Sequence, residues 1–126
     1  MSTDLKYTKD HEWLKIEDGN VAVIGITEFA QDALGDLVYV ELPEIGSKIA
    51  KGADLAVVES VKTAAEVYSP VTGEVVAVND ELPDNPELIK KSLEAGWIAK
   101  VKITDEADMA ELMDDAAYQD YLKSLD

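Results

Sequence analysis

The stretch Asp54-Leu55-Ala56-Val57-Val58-Glu59-Ser60-Val61-Lys62-Thr63-Ala64-Ala65-Glu66-Val67-Tyr68-Ser69-Pro70-Val71-Thr72-Gly73-Glu74-Val75 decides the fold of this chain. Its two ends read easily. Leu55 to Val58 is apolar and bounded, as a buried strand is, and Val75 to Val78 repeats that character. Ser69-Pro70 and Thr72-Gly73 punctuate the space between them. The middle is in conflict. Ala, Glu and Lys across Val58 to Glu66 favour helix. Val61-Lys62 makes a poor two-residue hairpin turn, because neither residue favours positive φ. Local preference alone therefore assigns helix here.

Upstream, Trp13-Leu14-Lys15-Ile16 and Val21-Ala22-Val23-Ile24-Gly25-Ile26 read as strands, joined by the turn chemistry of Glu17-Asp18-Gly19-Asn20. Thr27 caps a short helix, Glu28 to Leu34, which Gly35 stops. Phe29, Ala30, Ala33 and Leu34 form its apolar face. Leu37 to Val40 is another strand, Leu42-Pro43-Glu44-Ile45-Gly46 a turn, and Lys51-Gly52 a further break. Gly35-Asp36-Leu37-Val38-Tyr39-Val40 is echoed by Gly73-Glu74-Val75-Val76-Ala77-Val78, which suits two similar half-sheets with Lys62 between them.

Downstream, Asn79 to Glu87 reads as a loop carrying Pro83 and Pro86. Glu87 to Leu93 is read as a short helix ended by Gly96. Trp97 to Ile103 alternates like a strand, with Trp97, Ala99, Val101 and Ile103 on one face. Thr104 or Asp105 then caps an acidic helix over Glu106 to Met113. A last helix, Ala116 to Leu125, docks Tyr118, Tyr121, Leu122 and Leu125 on the sheet. The outcome is a β-rich domain with helices at its ends.

Leu, Ile, Val and Phe supply 34 of the 126 residues, above the level of roughly 20% below which chains stay disordered. The net charge is −16, and Asp105 to Asp126 holds eight acids against one base, Lys123. Nucleic acid is not an expected partner, since neutralising phosphates needs a clustered basic surface. An anionic membrane surface is disfavoured for the same reason. There is no cysteine, which excludes disulfides, thiolate metal sites and Cys nucleophiles. No apolar run approaches the roughly 20 residues of a membrane span. The N-terminus has neither signal-peptide nor transit-peptide character, so a cytoplasmic protein is expected. His11 is the only histidine, so it is read as packing or hydrogen bonding rather than binding metal. No nucleophile–base pair or phosphate loop stands out, and no catalytic residue is assigned.

Val58-Glu59-Ser60-Val61-Lys62 resembles the lipoyl-attachment motif of the glycine cleavage system H proteins, and Tyr68-Ser69-Pro70-Val71-Thr72-Gly73-Glu74-Val75 resembles the segment that follows it. Tyr7-Thr8-Lys9-Asp10-His11-Glu12-Trp13 is similar to that family's N-terminal signature. Ile24-Gly25-Ile26-Thr27, Gly35-Asp36-Leu37-Val38-Tyr39-Val40-Glu41-Leu42-Pro43 and Gly96-Trp97 also match in order. Lys90, Leu93 and Glu94 depart from the family's pattern before Gly96-Trp97. The resemblance implies a mainly β fold: a flattened β-barrel/sandwich hybrid of the biotinyl/lipoyl-carrier type, with short peripheral helices and a C-terminal helical segment. A single domain over 1–126 is expected, with its core over about 13–103 and C-terminal helices over about 105–125. The resemblance also revises the local reading: Leu55 to Glu59 and Glu66 to Tyr68 become arms of a hairpin with Lys62 at its exposed tip.

The implied function is that of a carrier, not an enzyme. Lys62 bears lipoate through an amide, with Glu59, Ser60 and Val61 completing the attachment motif. The arm takes an aminomethyl group from a pyridoxal-phosphate glycine decarboxylase (P protein). It passes the one-carbon unit to a tetrahydrofolate-dependent aminomethyltransferase (T protein) and is reoxidised by dihydrolipoamide dehydrogenase (L protein). Lipoylation enzymes are further partners, and a monomer is expected. A cationic amine cargo calls for a carboxylate nearby, and Glu12 and then Glu66 are the candidates. Trp13 and Trp97 are expected in the core or the cleft wall. The alternatives are an H-like relay serving 2-oxoacid dehydrogenase complexes, a biotin carrier and an unmodified β-rich interaction domain. Biotin is disfavoured because Val61 and Thr63, not methionines, flank the lysine.

Overall fold

Nine short strands dominate the described residues: β1 (Lys6–Tyr7), β2 (Glu12–Glu17), β3 (Val21–Ile26), β4 (Leu37–Glu41), β5 (Lys48–Ile49), β6 (Asp54–Ser60), β7 (Ala64–Tyr68), β8 (Gly73–Val78) and β9 (Ala99–Ile103). They are accompanied by helix α1 (Glu28–Leu34), a 3-10 turn (Pro86–Lys90) and helix α2 (Asp115–Ser124). The structure is a computed structural model that describes residues 5–8, 11–17, 20–90, 96–105 and 112–124. Two antiparallel sheets result, one in the order β1-β2-β3-β9-β8-β5 and one in the order β4-β6-β7. A single core cluster takes Leu14, Ile24, Val75 and Val101 from the larger sheet and Val40, Val58 and Val67 from the smaller. This is the mainly β, two-sheet architecture that the resemblance implied.

Strands β3 and β9 follow their side-chain patterns. β3 is apolar throughout and, apart from Val21, wholly buried, as suits a strand between β2 and β9. β9 alternates, burying Ala99, Val101 and Ile103 while Lys100 and Lys102 turn outward. Trp13 is buried and Trp97 half-buried, the latter just before β9 rather than in it. The two copies of the Gly-acid-apolar-Val-x-Val pattern fall in different sheets, as β4 and β8.

The segment that local preference reads as helix is a hairpin, as the resemblance required, with arms one to two residues longer than expected. β6 pairs β7 with Glu59 opposite Ala64 and Val58 opposite Ala65. Helix preference over these few residues amounts to tenths of a kcal/mol each. Burying one valine side chain fully contributes about 1.5–3 kcal/mol, and both Val58 and Val67 are buried. Tertiary packing therefore outweighs local preference.

Other expectations are corrected in detail. β1 and β5 are two-residue strands too short to signal themselves. The helix expected over Glu87 to Leu93 is a 3-10 turn over Pro86–Lys90, and its remaining residues lie outside those described. Gly96 lies against that turn, where a Cβ would stand 2.5 Å from Ile89 Cα, so close approach of backbone requires glycine. Of the acidic helix expected over Glu106 to Met113, residues 106–111 lie outside the described residues. Met113 itself is not helical but exchanges backbone hydrogen bonds with Tyr7 (2.7 and 2.9 Å). Departure residues Leu93 and Glu94, the turn residues Asp18 and Gly19, and Leu125 also lie outside the described residues; Lys90 ends the 3-10 turn. Among the described residues no helix is long and apolar enough to cross a membrane.

Candidate functional site

Lys62 is exposed at the tip of the β6–β7 hairpin, between Val61 (67% exposed) and exposed Thr63. Neither Val61 nor Lys62 has a positive φ, so the tip is not a primed turn. Ser60 provides the substitute. Its Oγ accepts from Lys62 N–H and Thr63 N–H (both 3.2 Å) and donates to Thr63 O (3.1 Å). Ser60 N–H also donates to Thr63 O at 2.7 Å. A serine hydroxyl thus satisfies the amides that a Gly-containing turn would otherwise arrange. Glu59, half-buried, ends the paired part of β6, opposite Ala64 on one side and Tyr39 on the other.

The tip is tied back to the body. Val61 N–H donates to Asp36 O at 3.0 Å. Next along the chain, Leu37 N–H donates to Glu87 Oε2 at 3.0 Å, which anchors the start of β4 to the 3-10 turn. Gly35, the C-cap of α1 with φ +79°, lies under the lysine: a Cβ added there would stand 3.6 Å from Lys62 Cε and 4.0 Å from Nζ. Among the described residues no ion pair engages Lys62. An exposed amine therefore stands out on a hydrogen-bonded base.

Helix α1 and the β6–β7 hairpin enclose a cleft of about 180 Å³. Helix α1 presents Phe29, Ala30, Ala33 and Leu34 to it, and the hairpin presents Val58, Ala65 and Val67. These four helix residues are the expected apolar face, but only Leu34 is fully buried; Phe29 and Ala33 are exposed, while Gln31 is buried instead, its Nε2 donating to Ile26 O at 3.1 Å. The helix turns its apolar side to the cleft as well as to the core.

Glu12 and Glu66 both line this cleft, so the structure brings the two acids together, whereas Lys62 is not among its lining residues. They differ in kind. Glu12 is 2% exposed, and its Oε2 accepts from Tyr68 N–H (2.7 Å) while Oε1 accepts from Thr8 Oγ1 (3.1 Å). Burial of a carboxylate is tolerated when its oxygens are hydrogen-bonded in this way. Glu66 is exposed at the rim, where Oε1 accepts from Tyr68 Oη at 3.0 Å. The cleft is thus an apolar slot with one deep and one peripheral carboxylate, beside an exposed lysine. Such a slot can hold an apolar arm ending in a cation.

Sequence reasoning missed several participants. His11 and Phe29 line the cleft and pack on each other, with ring centroids 4.3 Å apart. Glu87 and Asp36 steady the tip from elements that carry no local signal of it. Tyr68 holds both acids. Only the position of His11 beside Glu12 in the N-terminal signature pointed toward the cleft.

Known proteins resemble this chain over nearly its whole length. The family model described as glycine cleavage H-protein matches residues 5–125. A glycine cleavage system H protein of Klebsiella pneumoniae is 52% identical over 121 residues, covering 95% of this chain and 94% of its own. A probable glycine cleavage system H protein of the archaeon Thermococcus kodakarensis is 52% identical over 122 residues, covering 96% and 91%. The crystal structure of a glycine cleavage system H protein from Mycobacterium marinum superposes with a TM-score of 0.83 at 35% identity, covering 98% of each chain. With motif, fold and length in agreement, the chain belongs to the glycine cleavage H-protein family.

Proposed function

We propose that this chain is the lipoyl-bearing carrier of a glycine cleavage system, with Lys62 as the covalent attachment point. The observation that carries the reading is the exposed, unpaired-by-acid Lys62 at a rigid hairpin tip beside an apolar cleft, in a chain of this family. The residues suit the group. An exposed amine is open to a lipoylation enzyme, and the Ser60 hydroxyl with the Asp36 carbonyl gives it a fixed base. When bound, lipoate supplies a dithiolane that accepts the aminomethyl group and is later reoxidised.

The chain itself performs no bond-making step. Lys62 tethers; Glu59, Ser60 and Val61 present the tip; and the cleft excludes water from the arm. Glu12 and Glu66 hold the cationic amine of the cargo by charge-assisted hydrogen bonds, Glu12 from within and Glu66 from the rim. The carrier moves between glycine decarboxylase, which loads it, the aminomethyltransferase, which unloads it, and dihydrolipoamide dehydrogenase, which resets it.

Intact-mass analysis after expression with lipoylation enzymes tests the reading. The expected result is one lipoyl increment, absent in Lys62→Ala. A biotin increment, or none, overturns it. Reconstituted glycine decarboxylation with the lipoylated protein then tests the pathway; a correctly modified but inactive protein refutes it.

A further inference from the structure

Helix α2 contributes no residue to the lining of the cleft, yet it is hydrogen-bonded to two of the segments that form it. Tyr118, 3% exposed, is the link. Its Oη lies 2.9 Å from His11 Nδ1 and 2.8 Å from Thr27 Oγ1. His11 lines the cleft beside Glu12, and Thr27 is the N-cap of α1, accepting from Ala30 N–H at 3.4 Å. One hydroxyl thus joins two cleft-forming elements that are themselves joined through Thr27 N–H donating to His11 O at 2.9 Å.

His11 needs such a hold. It is the only described non-glycine residue with positive φ, at +67°, a conformation sparsely populated by residues with a Cβ and kept where surrounding contacts determine it. Its ring lies on Phe29, which lines the same cleft. Tyr118 in turn stacks on Tyr7, with centroids 4.6 Å apart and planes 8° from parallel. The proton order in the chain reverses without loss. Either Thr27 donates to Tyr118 and Tyr118 to His11, or His11 donates to Tyr118 and Tyr118 to Thr27. The link therefore survives a change in the protonation of His11.

We propose that Tyr118 is a positioning residue for the cargo cleft: through the chain His11–Tyr118–Thr27, helix α2 fixes the cleft walls and so governs how long the aminomethyl cargo is kept from water. This rests on the carrier reading above. Released cargo is hydrolysed, one water converting the aminomethyl thioether to thiol, formaldehyde and ammonium. Tyr118→Phe keeps the stacked ring and deletes both hydrogen bonds.

The test uses the full lipoylated chain, loaded with glycine and a glycine decarboxylase, with formaldehyde release as readout. Loss of one hydrogen-bonded link raises release about tenfold in Tyr118→Phe. A second readout needs no lipoate. His11 is the only histidine, so its imidazole ¹⁵N resonances are unambiguous, and that of Nδ1 moves in Tyr118→Phe. Leu122→Ala, which trims the same helix but removes no hydrogen bond of the chain, leaves the His11 resonances in place and release within about twofold of wild type. Thr27→Val, which removes the far link together with the cap of α1, accelerates release and moves the His11 Nδ1 resonance, and Thr27→Ser, which keeps both, does neither; the resonance, which the cap does not touch, decides the matter if Tyr118→Phe fails to fold. Wild-type release from Tyr118→Phe, an unmoved Nδ1 resonance, or equal acceleration by Leu122→Ala at matched stability overturns the inference. A wild-type protein that takes no lipoyl group fails the carrier reading instead.

Discussion

Ser60→Ala is the sharpest probe of the Lys62 hairpin tip. The substitution removes one oxygen and with it three hydrogen bonds, two accepted from Lys62 and Thr63 N–H at 3.2 Å and one donated to Thr63 O at 3.1 Å. A net hydrogen bond contributes about 0.5–1.5 kcal/mol. These are long and only part-buried, so each belongs at the low end; their sum, about 1.5 kcal/mol, matches the loss of a serine helix cap. For a chain of this size that lowers the melting temperature by about 5 °C. The effect concentrates at the tip. Amide exchange at Lys62 and Thr63 speeds up, and lipoylation by its ligase slows about tenfold, since misplacing a reacting group by an ångström costs up to 100-fold. Ser60→Thr, which keeps the hydroxyl, retains most of both. Thermal melting by circular dichroism, amide exchange and a mass-spectrometric lipoylation time course supply the measurements. A Ser60→Ala protein that melts, exchanges and accepts lipoate like wild type refutes the assignment of the tip geometry to this hydroxyl.

Gly35→Ala places a Cβ at φ +79°, ψ −141°, a region open essentially to glycine alone, and is expected to cost about 2 kcal/mol, read as a lower urea midpoint. The Lys62 stem, 3.6 Å from the new atom, is only in ordinary contact with it, so the loss comes from the backbone. Glu12→Ala removes the acceptor used by Tyr68 N–H and Thr8 Oγ1; it is expected to lower stability by about 2 kcal/mol and to release loaded aminomethyl cargo faster, whereas unchanged release sinks the role of Glu12 in holding it. Glu66→Ala, at the exposed rim, changes stability by less than about 0.5 kcal/mol in the same urea titration. Burial raises the pKa of the Tyr118 phenol above its ordinary value, partly offset by the hydrogen bond to Thr27. The unfolded chain then loses that proton first, so the stabilisation is complete below the ordinary tyrosine value and is lost as pH rises through the folded one. Melting from pH 8 to 11 therefore falls less steeply in Tyr118→Phe than in wild type.

What local chemistry encodes was legible residue by residue. Val21–Ile26 and Glu28–Leu34 have the bounds read from the apolar run, the Thr27 cap and the Gly35 stop, because a strand's alternation and a helix's ends depend on neighbours a few positions away. Lys62 was legible only through family motifs; its own surroundings, rich in Ala, Glu and Lys, argue for helix. Three features had no local signal at all. The hairpin forms because Val58 and Val67 reach a core assembled from both sheets. Glu12 is a buried, fully engaged acid rather than a surface one because Tyr68 N–H, 56 residues away, donates to it. The Tyr118 hydroxyl meets His11 across 107 residues. Composition and motif determined by themselves that this chain is β-rich and acidic, and they singled out one lysine. Only the tertiary structure decided which acids and aromatics line the cleft, because burial and long-range hydrogen bonds are set by sheet pairing and not by the residues next in line.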